Sequence, residues 1–144
     1  VKSIFVLQVE LKNKAYNERN IVLISKLFGQ HLLIVLKYAD EVQFAIYQTR
    51  LLHSEWMEAD HACVKLSGLD LDAVWENLVT KVSGIVVTDE HSLDEQIVIE
   101  QEKVKLLKQI EELEKKARKE TQAKKKFEMF QRLKEYQKRL EEMN

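Results

Sequence analysis

SLDEQIVIEQEKVKLLKQIEELEKKARKETQAKKKFEMFQRLKEYQKRLEEMN, residues 92–144, is the stretch whose reading decides the fold. In its first half Leu106, Ile110, Leu113 and Ala117 recur in steps of four, three and four, which places them on one stripe of a helix. A second stripe runs through Met129, Leu133, Tyr136, Leu140 and Met143 with the same spacing. The two stripes are out of phase, because carrying the first one forward from Ala117 lands on Lys124 and Gln131. The register breaks at Glu120-Thr121-Gln122-Ala123, the weakest apolar pattern of the segment, and this predicts the bend of an αα-hairpin with antiparallel arms.

The first arm has a start signal. Ser92 followed by Glu95 matches a capping box, and Asp94 and Glu95 suit the positive end of a helix dipole. From Leu93 to Lys119 the arm would rise roughly 40 Å at 1.5 Å per residue, and it is expected to protrude from the remainder of the chain. No Gly or Pro marks the bend. The rival is one uninterrupted helix of about fifty residues with a stutter, pairing with a second chain. Phe127, Met129 and Phe130 would feed that intermolecular seam; in the hairpin they are expected to be taken up by packing along the second stripe. Hairpin and dimeric coiled coil use the same spacings, so a homodimer through the helices suits the sequence as well.

Residues 1–91 read as an α+β body. Ile4–Glu10 is a strand whose apolar run Ile4-Phe5-Val6-Leu7 suggests burial on both faces at its start. Asn17 to Phe28 has helical spacing through Ile21, Ile24 and Phe28, with Gly29 as a stop. Leu32–Leu36 is a second strand and Val42–Tyr47 a third, the first two parallel across the helix and the third antiparallel. Ala62, Val64 and Leu66 alternate like a further short strand. Asp70 is placed to cap a helix from Leu71 to Val82 with the stripe Leu71, Val74, Leu78 and Val82, ended by Ser83-Gly84. The expected architecture is therefore α+β: a small mixed β-sheet with two packed helices in residues 1–91, then a long C-terminal antiparallel helical hairpin, or coiled coil, in residues 92–144.

Composition bounds the function. At 144 residues and 45% hydrophobic content the chain fits one domain with a real core plus an appendage. It opens on Val1 directly ahead of a strand, so an upstream segment is expected to be missing. No apolar run is long enough to span a membrane, and a lone Cys63 forms no internal disulfide, so a soluble, cytoplasmic setting is expected. Net charge is −1, unevenly spread: nine basic and twelve acidic side chains in residues 1–91, fourteen and twelve in residues 92–144.

The strongest candidate for function is the bend. Lys115, Lys116, Arg118, Lys119, Lys124, Lys125 and Lys126 face a single acid, Glu120, in residues 115–126, and seven minus one leaves +6. Such a cation cluster engages phosphates without reading bases; the bland alternative is that lysines merely keep a bend solvated. A second candidate is Glu10-Leu11-Lys12 at the end of the first strand, the E-x-K of restriction-type nucleases. There Glu10 would hold a divalent metal such as magnesium and Lys12 would position the attacking water, with Lys26 or Gln30 nearby, but the acid-bearing strand that should precede it is absent. His61 and Cys63, near Asp60, make at most half a zinc site, with no second pair to complete four ligands. Glycines at 29, 68 and 84 cannot form a phosphate loop. Trp75 reads as core, and Trp56 among acids is either core or a partner anchor.

The succession IFVLQVELKNK (4–14), LLIVLKYADEVQFAIY (32–47), SEWME (54–58), GLDLDAVWENLV (68–79) and IEELEKKARKETQAKKKFEM (110–129) resembles a prokaryotic family, domain-of-unknown-function family 4391. The resemblance covers almost the whole chain and rests on the order of the blocks. It implies an additional N-terminal segment, a charged helical tail and loci shared with helicases and DNA methyltransferases; it implies no activity. The sequence thus points to a non-enzymatic interaction module of a DNA-processing or restriction-type defence assembly. It would have a protein partner and no cofactor, with the tip contacting nucleic acid or that partner. A metal-dependent E-x-K nuclease, intact or degenerate, is the alternative.

Overall fold

In the computed structural model, which describes residues 1–144, Ile4–Glu10 forms β1, Glu18–Phe28 α1, His31–Tyr38 β2, Glu41–Gln48 β3, Arg50–His53 β4 and Met57–Glu58 β5. A single 3-10 turn, Ala59–His61, precedes α2 (Leu71–Ser83). The strands make one mixed sheet in the order β1-β2-β3-β4, with β5 also paired to β3. β1 runs parallel to β2 across the α1 crossover, and β3 returns antiparallel, joining β2 through Ala39 in the left-handed region. Two compact units result, Val1–Asp94 and Glu95–Asn144.

Helix limits follow from side chains named in the sequence. The Asn17 side chain accepts the Arg19 N–H, and Gly29 closes α1 in the left-handed conformation with its N–H on the Ser25 carbonyl. Asp70 Oδ1 accepts the Ala73 N–H at 2.8 Å, and Gly84 ends α2 in the same left-handed way. The two helices serve opposite faces of the sheet. Leu32, Ile34, Leu36 and Ala45 form a buried cluster with Ile21 of α1. The residues between them in the register point the other way, where Trp75 of α2 meets His31 edge-to-face and donates its Nε1–H to Gln48 at 3.0 Å.

Three expectations change. β1 is an edge strand, so Val6 is 65% exposed and Phe5 only partly covered, packing edge-on against Phe28; the apolar run is not buried on both faces. In β3 Gln43 and Ala45 are as buried as Val42, Phe44 and Ile46, between two helical layers. Residues 62–66 form no strand: they find no partner strand and leave Leu66 exposed. In α2 the buried side is rotated toward Trp75 and Val79, while Leu71 stays partly exposed.

In the second unit α3 (Leu93–Lys119) is followed, after three non-helical residues, by α4 (Ala123–Met143). Leu106, Ile110, Leu113, Ala117 and Leu133 form its buried seam, flanked by Met129, Tyr136, Leu140 and Met143. Both stripes are used, and they face each other within one chain. The uninterrupted fifty-residue helix is excluded by the break at residues 120–122.

Candidate functional site

A reversal between two helices leaves carbonyls at the end of one and N–H groups at the start of the next without intrahelical partners. Here the Glu120 N–H still reaches the Lys116 carbonyl at 3.0 Å, closing α3. The Glu120 carboxylate then turns onto the connection, its Oε1 accepting the Thr121 N–H at 3.1 Å and the Gln122 N–H at 3.0 Å. Lys126 N–H to the Gln122 carbonyl, at 2.9 Å, opens α4. The one acid among the seven cations is thus a structural element of the bend.

The cations stand around it. Ala117 on the last turn of α3 is 0% exposed, so the two helices approach closely at the bend and its neighbours Lys116, Arg118 and Lys119 are turned outward. Lys124 and Lys125 are exposed on the first turn of α4, and Lys126 is half-buried beside the seam. Lys115 is the exception in one respect, being ion-paired with Glu111 at 3.3 Å on the same helix; with both partners exposed this pair is weak and leaves the charge available. Lys116 also shares a shallow cleft of about 150 Å³ with Arg132 of α4, against Leu113 and Tyr136. Positive charge at the first turn of α4 opposes its helix dipole, a cost tolerated here without any acid in that turn.

Phe127 and Phe130 depart from expectation. The second stripe was expected to take them into packing, yet they are 64% and 46% exposed. At about 100° per residue Phe127 lies roughly 160° round α4 from Met129, and Phe130 roughly 100°. The Met129-Leu133-Tyr136-Leu140 stripe therefore wins the seam and leaves both rings outside. No signal in the sequence separates the two alternatives except that the winning stripe is longer.

The other candidates do not converge. Glu10 alternates with Leu7 and Val9 and so faces away from α1, in register with Lys37, whereas Lys26 of α1 lies over the Tyr47 ring at 5.6 Å on the other face. Lys12 is exposed beyond the end of β1, and Gln30 sits in the α1–β2 turn. No three of the described His, Cys, Asp and Glu side chains come together to hold a metal ion. His61 pairs instead with Glu58 at 2.9 Å, and its neighbour Cys63 is exposed on a cavity of about 590 Å³ shared with Lys65, Asn77 and Lys81. Trp56 is half-buried against the α1-side cluster, with the Lys14 ammonium 5.2 Å above its ring.

A polar network was invisible in the sequence. Gln43, 5% exposed in the middle of β3, accepts the Tyr16 hydroxyl at 2.6 Å and donates to the Ser54 carbonyl at 2.8 Å. Burial, and secondarily the Glu18 carboxylate, push the Tyr16 phenol above its ordinary value. The network is structural: every group in it is matched by a neighbour of the same unit.

Taken together, the sheet with a helix on each face and the seamed helical pair define an α+β protein with a C-terminal coiled-coil hairpin. The family model described as Domain of unknown function (DUF4391) matches residues 1–140, and the chain belongs to that family. No curated protein matches the chain. No solved structure matches it. No helix is long and apolar enough to cross a membrane.

Proposed function

We propose that this chain is an interaction module whose hairpin bend contacts nucleic acid, within a DNA-processing or restriction-type defence assembly. The observation that carries the reading is the +6 cluster at residues 115–126, with six of its seven cations exposed and its single acid occupied by the backbone of the bend. Cations concentrated in this way attract a phosphate backbone and displace its counterions, which gives affinity without base-specific readout. The residues of the E-x-K reading lend no comparable support, since Glu10 belongs to no group of three His, Cys, Asp or Glu side chains that could hold a metal.

The test is binding of the full chain to a labelled DNA duplex at low salt, for the wild type and for the triple variant Lys124→Glu, Lys125→Glu, Lys126→Glu. All three side chains lie outside the buried seam and acids suit the first turn of α4, so the variant should stay folded and melt no lower than the wild type by circular dichroism. Loss of binding supports the reading. Unchanged DNA binding, or capture of an acidic protein with no affinity for DNA, contradicts it.

A further inference from the structure

We infer that the hairpin tip takes unpaired nucleic-acid bases, with Phe127 and Phe130 as a two-ring stacking platform. This inference rests on the reading of the tip as a nucleic-acid interface and adds the kind of strand it selects. The rings are exposed and stand three residues apart on α4, so they are neighbours on one flank of the helix, about 5–6 Å apart at their Cβ atoms. Lys126 lies one turn before Phe130, and Lys134 lies four residues after Phe130 and seven after Phe127. Both lysines share that flank, so the aromatic pair is bracketed by cations along the helix axis. No acid interrupts the flank from Ala123 to Lys138: Glu128 and Glu135 lie on the far side of the second stripe.

Large rings left in water next to concentrated positive charge are the arrangement that binds single strands. Phosphates follow the cations, and each base has a π-face for a ring irrespective of sequence. A duplex satisfies the phosphate part equally well, but its bases are stacked on one another and offer no face to Phe127 or Phe130. The tip therefore discriminates by strand state, with no hydrogen-bonding side chain needed to read an edge. The bracketing charge argues for a polyanion over an apolar protein segment as the occupant of the platform.

The experiment compares a fluorescein-labelled oligothymidylate with a duplex of equal length, at one fixed salt concentration, using the full chain. Three proteins are measured: wild type, the double variant Phe127→Ala, Phe130→Ala, and the double variant Phe127→Tyr, Phe130→Tyr, each checked for an unchanged thermal melt. The wild type should prefer the single strand. The alanine pair should lose about tenfold or more on the single strand with duplex binding within about twofold, and the tyrosine pair should restore it. If the alanine pair binds single strands as the wild type does, or if a protein partner alone depends on the rings, the platform is overturned while the charge-based reading stands. If the wild type binds neither strand form, the reading of the tip fails and the inference with it.

Discussion

The Glu120 carboxylate accepts the backbone N–H of Gln122 at 3.0 Å, and the same oxygen accepts that of Thr121 at 3.1 Å. This explains how the chain reverses without a glycine or proline. Left-handed backbone outside glycine occurs only at Ala39 and Thr49, so none of the bend residues needs it. The side chain supplies what a special conformation would otherwise supply.

Glu120 therefore has two separable effects. Glu120→Ala removes the acceptor and should cost about 1 kcal/mol of stability, as loss of a capping side chain does. It also takes the tip from +6 to +7 and should tighten DNA binding. Glu120→Gln keeps an oxygen acceptor, so it should lose less stability while tightening binding similarly. Thermal melts and binding on the same three proteins check both halves.

Leu133 is the one α4 side chain fully inside the seam, closed in by α3 leucine and isoleucine side chains. Leu133→Ala should destabilise the protein by about 2–5 kcal/mol, whereas Phe127→Ala, on the same helix but outside, should stay within about 0.5 kcal/mol. Urea unfolding followed by circular dichroism distinguishes them. Equal effects would mean that the wrong stripe had been assigned to the seam.

Tyr16 ties stability to high pH. Burial, then the Glu18 carboxylate, raise its phenol above the ordinary 10.0, so the folded chain holds that proton more tightly than the unfolded one. The contribution is fully present below pH 10.0 and falls away as the pH rises through the raised folded value. Tyr16→Phe should abolish that alkaline component. At neutral pH it should cost about 1–3 kcal/mol, because the Gln43 carbonyl oxygen loses its donor in a buried place. Stability measured from pH 7 to pH 11 in both proteins is the check.

Gly68 is required by space as well as by backbone angle. At φ +145° a Cβ there would fall 2.7 Å from the Val74 nitrogen, in the backbone of α2, while at Gly29 it would meet nothing within 4 Å. Gly29→Ala should cost about 1 kcal/mol, from the left-handed conformation alone. Gly68→Ala should cost clearly more, since backbone has to move. Denaturation midpoints of the two variants decide it.

Much of the fold was legible from spacing. Four-three steps named every residue of the hairpin seam, and Asn17, Gly29, Asp70 and Gly84 marked helix ends because capping is local chemistry. What was not legible depends on neighbours remote in sequence. Whether Val6 is covered depends on β1 standing at the sheet edge, and whether Gln43 can be buried depends on Tyr16 and Ser54 arriving to bond it. At the tip the charge was plain in the composition, but the exposure of Phe127 and Phe130 was not. Two stripes competed for one seam, and only packing against Leu113 and Ala117 resolves which one it takes.

The most direct measurement is the salt dependence of DNA binding by the full chain. If the cations at residues 115–126 make the contacts, log affinity should fall linearly with log salt, with a slope of about −0.9 for each phosphate neutralised, and up to about seven cations contribute. Reversing Lys124, Lys125 and Lys126 to Glu should flatten that slope by about three units or remove binding altogether. Binding with a flat salt dependence, or a slope unchanged by the triple reversal, would contradict the account.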